Sequence, residues 1–231
     1  ISRYFKKFGS SNLIEIKNMK YQYHKDKKLF EKFSLQLDCK RTTVIKGNNG
    51  SGKTTLSKLI MGILKPLEGD IILFGDNSKN MTLSEIGKGI GYVFQYPERQ
   101  LFTTSVIDEL TFAQLLKGEK KEAVMEKAEE MIELFALEKV RDVYPFFLSY
   151  GEKKRLAIAS TLMSNPKYLI LDEPTASLDK DKIINLSMIL NKLEEKNVGK
   201  LIITHDKNFI KEHGERVIHL DGGRIVKDEA N

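Results

Sequence analysis

Leu13-Ile14-Glu15-Ile16-Lys17 and Phe33-Ser34-Leu35-Gln36-Leu37 alternate apolar and polar residues, and the charged loop between them around Lys25 to Lys28 predicts a pair of antiparallel strands. Thr42-Thr43-Val44-Ile45 reads as a strand and Thr55 to Met61 as the helix that follows it. Lys65-Pro66-Leu67-Glu68-Gly69 breaks the chain, and Ile71-Ile72-Leu73-Phe74 with Gly75-Asp76 reads as strand and turn. Ile90-Gly91-Tyr92-Val93-Phe94 is a buried-strand pattern that stops at Gln95-Tyr96-Pro97, because proline has no amide proton for strand pairing.

Helical spacing then takes over. Ser105 with Asp108 predicts a capping box ahead of Val106, Leu110 and Ala113, in a helix expected to stop at Gly118. Val124, Ala128, Met131 and Phe135 recur on one helical face, with Met125 and Met131 read as core filler. Residues 100 to about 165 are therefore expected to form a mostly helical subdomain. Lys167-Tyr168-Leu169-Ile170-Leu171 returns to a parallel-sheet pattern, followed by a helix through Ile183, Leu186, Leu190 and Leu193, a Gly199 turn and the strand Leu201-Ile202-Ile203-Thr204. Strand, helix and strand in this order imply a βαβ crossover in a doubly wound α/β sheet. Arg216 to Leu220, Asp221-Gly222-Gly223 and Arg224 to Val226 predict a closing hairpin.

With 231 residues and 41% hydrophobic content, one large α/β domain is the expected architecture. Cys39 is the single cysteine, which excludes an intrachain disulfide framework and points to a reducing, cytosolic setting. No apolar run approaches the length of a membrane span. The net charge of +6 is spread as lysines among glutamates on helical faces, so a solvated surface explains it better than nucleic-acid binding. Ile1 to Ser11 is basic and aromatic and is expected to be a linker or cloning remnant, with the folded domain over 12–231.

Chemistry enters at Gly47-Asn48-Asn49-Gly50-Ser51-Gly52-Lys53-Thr54, which fits the phosphate-loop pattern G-x-x-x-x-G-K-[ST] between a strand and a helix. Its glycines let consecutive N–H groups point at anionic oxygens, Lys53 supplies a point charge, and Thr54 offers a hydroxyl to Mg²⁺. A plain turn has no need of Lys-Thr at its end. Ligands of α/β sheets bind beyond the carboxyl ends of the strands, where Gln95, Asp172-Glu173 and His205 are expected to converge on the loop. Asp172 suits Mg²⁺, Glu173 suits the general base for an attacking water, and His205 suits a γ-phosphate contact that positions that water. Gln95 is placed to bridge metal, water and a moving subdomain. An Asp-Glu pair after a strand is by itself often a helix cap, and a lone histidine often a bystander, but neither explains the set together. His24, His213 and His219 have no such company.

These residues resemble the ATPase subunits of ABC transporters over about residues 13 to 227. Tyr23 matches the adenine-stacking aromatic, 47–54 Walker A and Gln95 the Q-loop. Leu148-Ser149-Tyr150-Gly151-Glu152 matches the signature, Leu169-Ile170-Leu171-Asp172-Glu173 Walker B, Ser177-Leu178-Asp179 the D-loop and His205 the switch histidine. The resemblance implies ATP and Mg²⁺ as ligands and a P-loop NTPase core with an antiparallel β subdomain and a helical one. It also implies nucleotide contacts from Tyr23, Asn48, Asn49, Gly50, Ser51, Gly52, Lys53, Thr54 and Thr55. Two subunits would enclose ATP head to tail, so that Ser149 and the Gly151 N–H meet the partner's γ-phosphate. Glu173, His205, Gln95 and Lys53 would carry the chemistry, with Thr54, Gln95 and Asp172 at the metal.

The signature departs from Leu-Ser-Gly-Gly-Gln at Tyr150 and Glu152. Tyr150 adds bulk and Glu152 a negative charge, although Ser149-x-x-Glu152 also reads as a capping box. The run Val93 to Phe102, above all Pro97-Glu98-Arg99-Gln100-Leu101-Phe102, is similar to ATPases of energy-coupling factor (ECF) transporters, which import vitamins and transition-metal ions. That resemblance implies a second ATPase subunit, a transmembrane coupling protein and a substrate-binding membrane subunit, at the cytoplasmic face of the membrane and without nucleic acid. The chain ends at Asn231 without the C-terminal extension of many ECF ATPases, which leaves open a cassette from a tandem protein. A non-transport ABC ATPase acting on ribosomes or DNA is the alternative.

Overall fold

The computed structural model describes residues 11–24, 27–195 and 198–230. The expected linker lies outside the described residues but for Ser11, and so do Lys25 and Asp26 of the expected charged loop. Two sheets carry the fold. An antiparallel sheet has the order β2-β1-β4-β5, built from β1 (Leu13–His24), β2 (Lys27–Asp38), β4 (Glu68–Leu73) and β5 (Asp76–Asn77). The second has the order β10-β9-β3-β8-β7-β6, from β3 (Thr42–Lys46), β6 (Ile90–Val93), β7 (Tyr168–Asp172), β8 (Lys200–Ile203), β9 (Arg216–Asp221) and β10 (Arg224–Ala230). All its pairs are parallel except β9 with β10.

The apolar runs of β3, β7 and β8 follow from burial on both faces. Val44, Leu169, Leu171 and Ile202 point into a core shared with the helices, while Ile45, Tyr168, Ile170, Leu201 and Ile203 point into a core shared with the antiparallel sheet. Helix α1 (Lys53–Ile60) sends Leu56, Leu59 and Ile60 into that second core, so the element after the phosphate loop is clamped between the sheets. α2 (Leu83–Gly89) precedes β6. Between β6 and β7 run α3 (Val106–Leu116), α4 (Lys121–Leu134) and α5 (Tyr150–Leu162), with short 3-10 turns at 97–99, 138–140 and 145–147. α6 (Lys180–Glu195) and α7 (Lys207–His213) complete the crossovers.

Several local expectations are corrected. β1 and β2 are twelve residues each, because irregularities in their register past Ile16 let pairing continue far beyond the alternating segments. The break at Lys65–Gly69 is shorter, since Glu68 already pairs with Lys20. Ser105 caps α3 by accepting from the Asp108 N–H, but the Asp108 carboxylate takes the Thr104 hydroxyl at 2.6 Å, so the reciprocal half of the box is absent. Cys39 is buried filler beyond β2, its thiol pushed up to about 12 by burial, which makes it inert. His213 has company after all: its Nε2 lies 2.6 Å from Ser187 Oγ, with Glu194 3.8 Å from Nδ1. Both Ser187 and His213 are buried, so this serine–histidine pair holds α6 to α7 rather than meeting a substrate.

Candidate functional site

The phosphate loop is shaped by the glycines that leave β3 and enter α1. Gly47 has φ 155, and a Cβ there would stand 2.0 Å from the Leu220 carbonyl oxygen. Gly52 caps α1 at φ 107, in the left-handed region, with Phe30 2.8 Å from where its Cβ would be. The hairpin turn after β9 secures the loop by a Gly223 N–H donated to the Ser51 carbonyl at 3.0 Å. The first turn of α1 has no acidic residue, so the positive end of the helix faces the loop uncompensated.

Lys53 Nζ donates to the carbonyls of Gly47 at 2.6 Å and Asn48 at 2.9 Å, which leaves one of its three protons free. Burial lowers its pKa, against the pull of Glu173 and Asp172. Ser51 Oγ is buried and makes no hydrogen bond, an orphaned hydroxyl inside a nest of N–H groups. Both features suit a phosphate chain.

Asp172 ends β7 with Oδ1 accepting from Thr54 Oγ1 at 3.3 Å and Oδ2 from Tyr92 OH at 3.3 Å. Ser57 Oγ lies 3.0 Å from the same phenol, so a buried Ser57–Tyr92–Asp172 chain orients the carboxylate. Sequence reasoning passed over Tyr92 and Ser57, although a hydroxyl inside a buried strand was a signal, since such groups seek partners. Burial raises the Asp172 pKa, and the hydrogen bonds from Thr54 and Tyr92 oppose it. A hydroxyl beside a carboxylate is the hard-oxygen pair that Mg²⁺ takes with phosphates and water, so no cluster of three acids is needed, and none occurs among the described residues.

Glu173 sits at φ 48, a conformation that side chains resist, fixed by its N–H on the Ile203 carbonyl at 2.8 Å. Its Oε1 lies 3.3 Å from Nε2 of the half-exposed His205. Burial raises the Glu173 pKa, the strongest opposing influence being His205. Tyr23, also half exposed at the end of β1, shares a hydrogen bond with Thr55 Oγ1 at 2.9 Å and leaves a ring face beside the loop. A cleft of about 400 Å³ is lined by Tyr23, Leu29, Asn49, Gly50, Gly52, Lys53, Thr54, Thr55, Gln95 and Glu173. A larger groove of about 700 Å³ between α4 and α6 has no member of this set, and the convergent polar groups place the site in the smaller cleft.

Ser149 and Gly151 lie outside that cleft, at the start of α5. The capping box forms in full: Glu152 Oε2 accepts from the Ser149 N–H at 2.8 Å and from Ser149 Oγ at 2.7 Å. The Glu152 carboxyl is held below its ordinary pKa mainly by Ser149. Tyr150 turns inward, its hydroxyl donating to the Gln95 carbonyl at 2.9 Å. Gln100, from the run singled out above, fastens the Q-loop to α5: its Oε1 accepts the Phe94 N–H at 3.2 Å, and its Nε2 donates to the Ala157 carbonyl at 3.1 Å and Thr161 Oγ1 at 3.2 Å.

Fold and cleft together define an ATPase of the phosphate-loop class. The chain belongs to the ABC transporter ATP-binding family, whose model, described as "ABC transporter", matches residues 30–176. It is 38% identical over 213 residues to an inferred ABC transporter ATP-binding protein of Pyrococcus furiosus, covering 92% of this chain and 82% of that one. An inferred ABC transporter ATP-binding protein of Caldanaerobacter subterraneus subsp. tengcongensis is 35% identical over 213 residues, 92% of this chain but 37% of the longer relative. Among solved structures, cbiO1 from Clostridium perfringens, part of the ABC transporter complex cbiONQ, superposes with a TM-score of 0.85 at 27% identity, covering 97% of this chain and 89% of that one. The ATP-binding cassette MJ0796, a dimer in a post-hydrolysis state with ADP and Pi, gives 0.84 at 26% identity over 94% and 98% of the two chains.

Proposed function

We propose that this chain is the ATP-hydrolysing subunit of an ECF-type importer and works at the cytoplasmic face of the membrane as one half of a head-to-tail dimer. The observation that carries the catalytic part is the Glu173–His205 contact at the mouth of the phosphate-loop cleft. The adenine ring stacks on Tyr23, and Lys53 with the loop from Asn48 to Thr55 binds the phosphates. Glu173, with a pKa raised toward that of a useful base, takes a proton from the attacking water, and His205 holds the water and the γ-phosphate in line. Mg²⁺ supplies charge neutralisation on the phosphates when bound at Thr54, Asp172 and Gln95. Ser149 and the Gly151 N–H complete the partner's site.

The ECF reading is supported by the Pro97-to-Phe102 run and by the likeness to cbiO1. A hollow of about 540 Å³ next to that run is lined by Phe102, Phe112, Leu115 and Leu116, with Phe102 66% and Leu116 77% exposed. Such an apolar patch at the end of that run suits a membrane subunit. Among the described residues no helix is long and apolar enough to cross a membrane.

The test is affinity purification of a tagged Glu173→Gln form from detergent-solubilised membranes with ATP and Mg²⁺, followed by mass spectrometry. A polytopic coupling protein with a small membrane subunit, with or without a second ATPase, is expected. Ribosomal proteins or nucleic acid without a membrane partner would overturn the importer reading in favour of a ribosome- or DNA-directed ATPase.

A further inference from the structure

Tyr150 stands where related signatures carry glycine, and its side chain makes a contact that glycine cannot. Its hydroxyl donates to the Gln95 carbonyl at 2.9 Å. The same carbonyl accepts from Lys154 Nζ, also at 2.9 Å, so both of its lone pairs are taken. Lys154 Nζ donates further to the Glu173 carbonyl at 3.1 Å. One turn of α5 thus grips two loops that line the nucleotide cleft, at Gln95 and at the left-handed Glu173.

The grip is stiff for a physical reason. The Lys154 side chain is fully buried, with the Tyr150 ring 5.8 Å from its ammonium. A buried cation deprived of its carbonyl partners is costly, so displacement of either loop drags the start of α5 with it. Gln100 adds a second tie two turns further along the helix. Ser149, exposed at the head of α5, and Gly151, buried beneath the Lys182 side chain, sit on either side of Tyr150.

We propose that Tyr150 and Lys154 form a clasp by which the nucleotide state of this chain's own cleft sets the position of the signature it presents to its partner, with Tyr150 as the positioning residue. The inference rests on the ATPase reading above, and it gives the departure at Tyr150 a role of its own. The hydroxyl is the part that matters, since the ring of Tyr150→Phe keeps the packing and loses the donor.

The experiment is hydrogen exchange on the full chain with and without a non-hydrolysable ATP analogue and Mg²⁺, at concentrations where sedimentation shows single chains. In the wild type the analogue should protect 47–54, 94–100 and also 149–156. In Tyr150→Phe the first two segments should stay protected, while the analogue-dependent protection of 149–156 falls by roughly five-fold, the worth of one hydrogen bond. A merely structural role would raise exchange of 149–156 equally with and without the analogue, and that outcome overturns the clasp. So does protection of 149–156 that is missing in the wild type or unchanged in the variant, and either result leaves the ATPase reading standing. Absence of protection at 47–54 in the wild type would remove the ATPase reading and the clasp together.

Discussion

The phosphate-loop cleft and the signature at the head of α5 make opposite use of similar parts. In the cleft, N–H donors and a buried hydroxyl are left for a ligand, and Ser51 Oγ has no partner at all. At the signature, the corresponding serine hydroxyl is satisfied by Glu152 within its own capping box. The first region collects Glu173, His205, Lys53 and the Tyr23 ring around one hollow, while at the second the carboxylate of Glu152 is taken up by Ser149 at a helix N-terminus. On the proposed reading this division suits a head-to-tail pair, in which the cleft of one chain meets the signature of the other.

Mutations should separate the two regions. Glu173→Gln should give the largest effect, lowering kcat by about 10² to 10⁴ while ATP binding persists, as read by steady-state kinetics and nucleotide titration. Ser149→Ala should lower kcat by on the order of 10² to 10³ for one lost transition-state donor, with about 1 kcal/mol of stability lost from the cap, and leave binding to a single chain untouched. If Ser149→Ala weakened ATP binding to the isolated chain, the division between the regions would not hold.

Tyr23→Ala should raise KM for ATP without changing kcat, by a factor matching about 1 to 3 kcal/mol of stacking. The pH profile sharpens the assignment of the base. Because burial raises the Glu173 pKa above its ordinary 4.5, the unprotonated base is lost as pH falls through that raised value. The acid limb of kcat should therefore lie above pH 4.5 and stay in place in Ser149→Ala. Gln100→Ala should have the smallest effect, about 1 to 2 kcal/mol of stability in denaturant titration, from the loss of its ties to Phe94, Ala157 and Thr161.

Legibility in the sequence followed the same division. The loop 47–54, the acid pair after β7 and the histidine after β8 are contiguous motifs at strand ends, where topology alone predicts convergence. Ser149 with Glu152 was readable because a capping box is local. Tyr92 with Ser57, Lys154 with Gln95 and Glu173, and Gln100 with Thr161 were not, because each pair is brought together only by tertiary packing. Tyr150 was readable as a departure from the usual signature but not as a donor, since the direction of its side chain depends on how α5 lies against the Q-loop. The short helices α2 and α7, of seven residues each, present too few turns for a periodic pattern.

Mixing two inactive variants shows whether each site is divided between two chains. Glu173→Gln lacks its own base but still binds ATP, so its signature stays in position, and Ser149→Arg keeps the cleft but blocks the surface it offers. Each alone should hydrolyse little ATP, and the equimolar mixture should recover activity because a mixed pair assembles one intact site. A mixture that stays as inactive as its components, or Ser149→Arg that is fully active alone, would rule out a divided site.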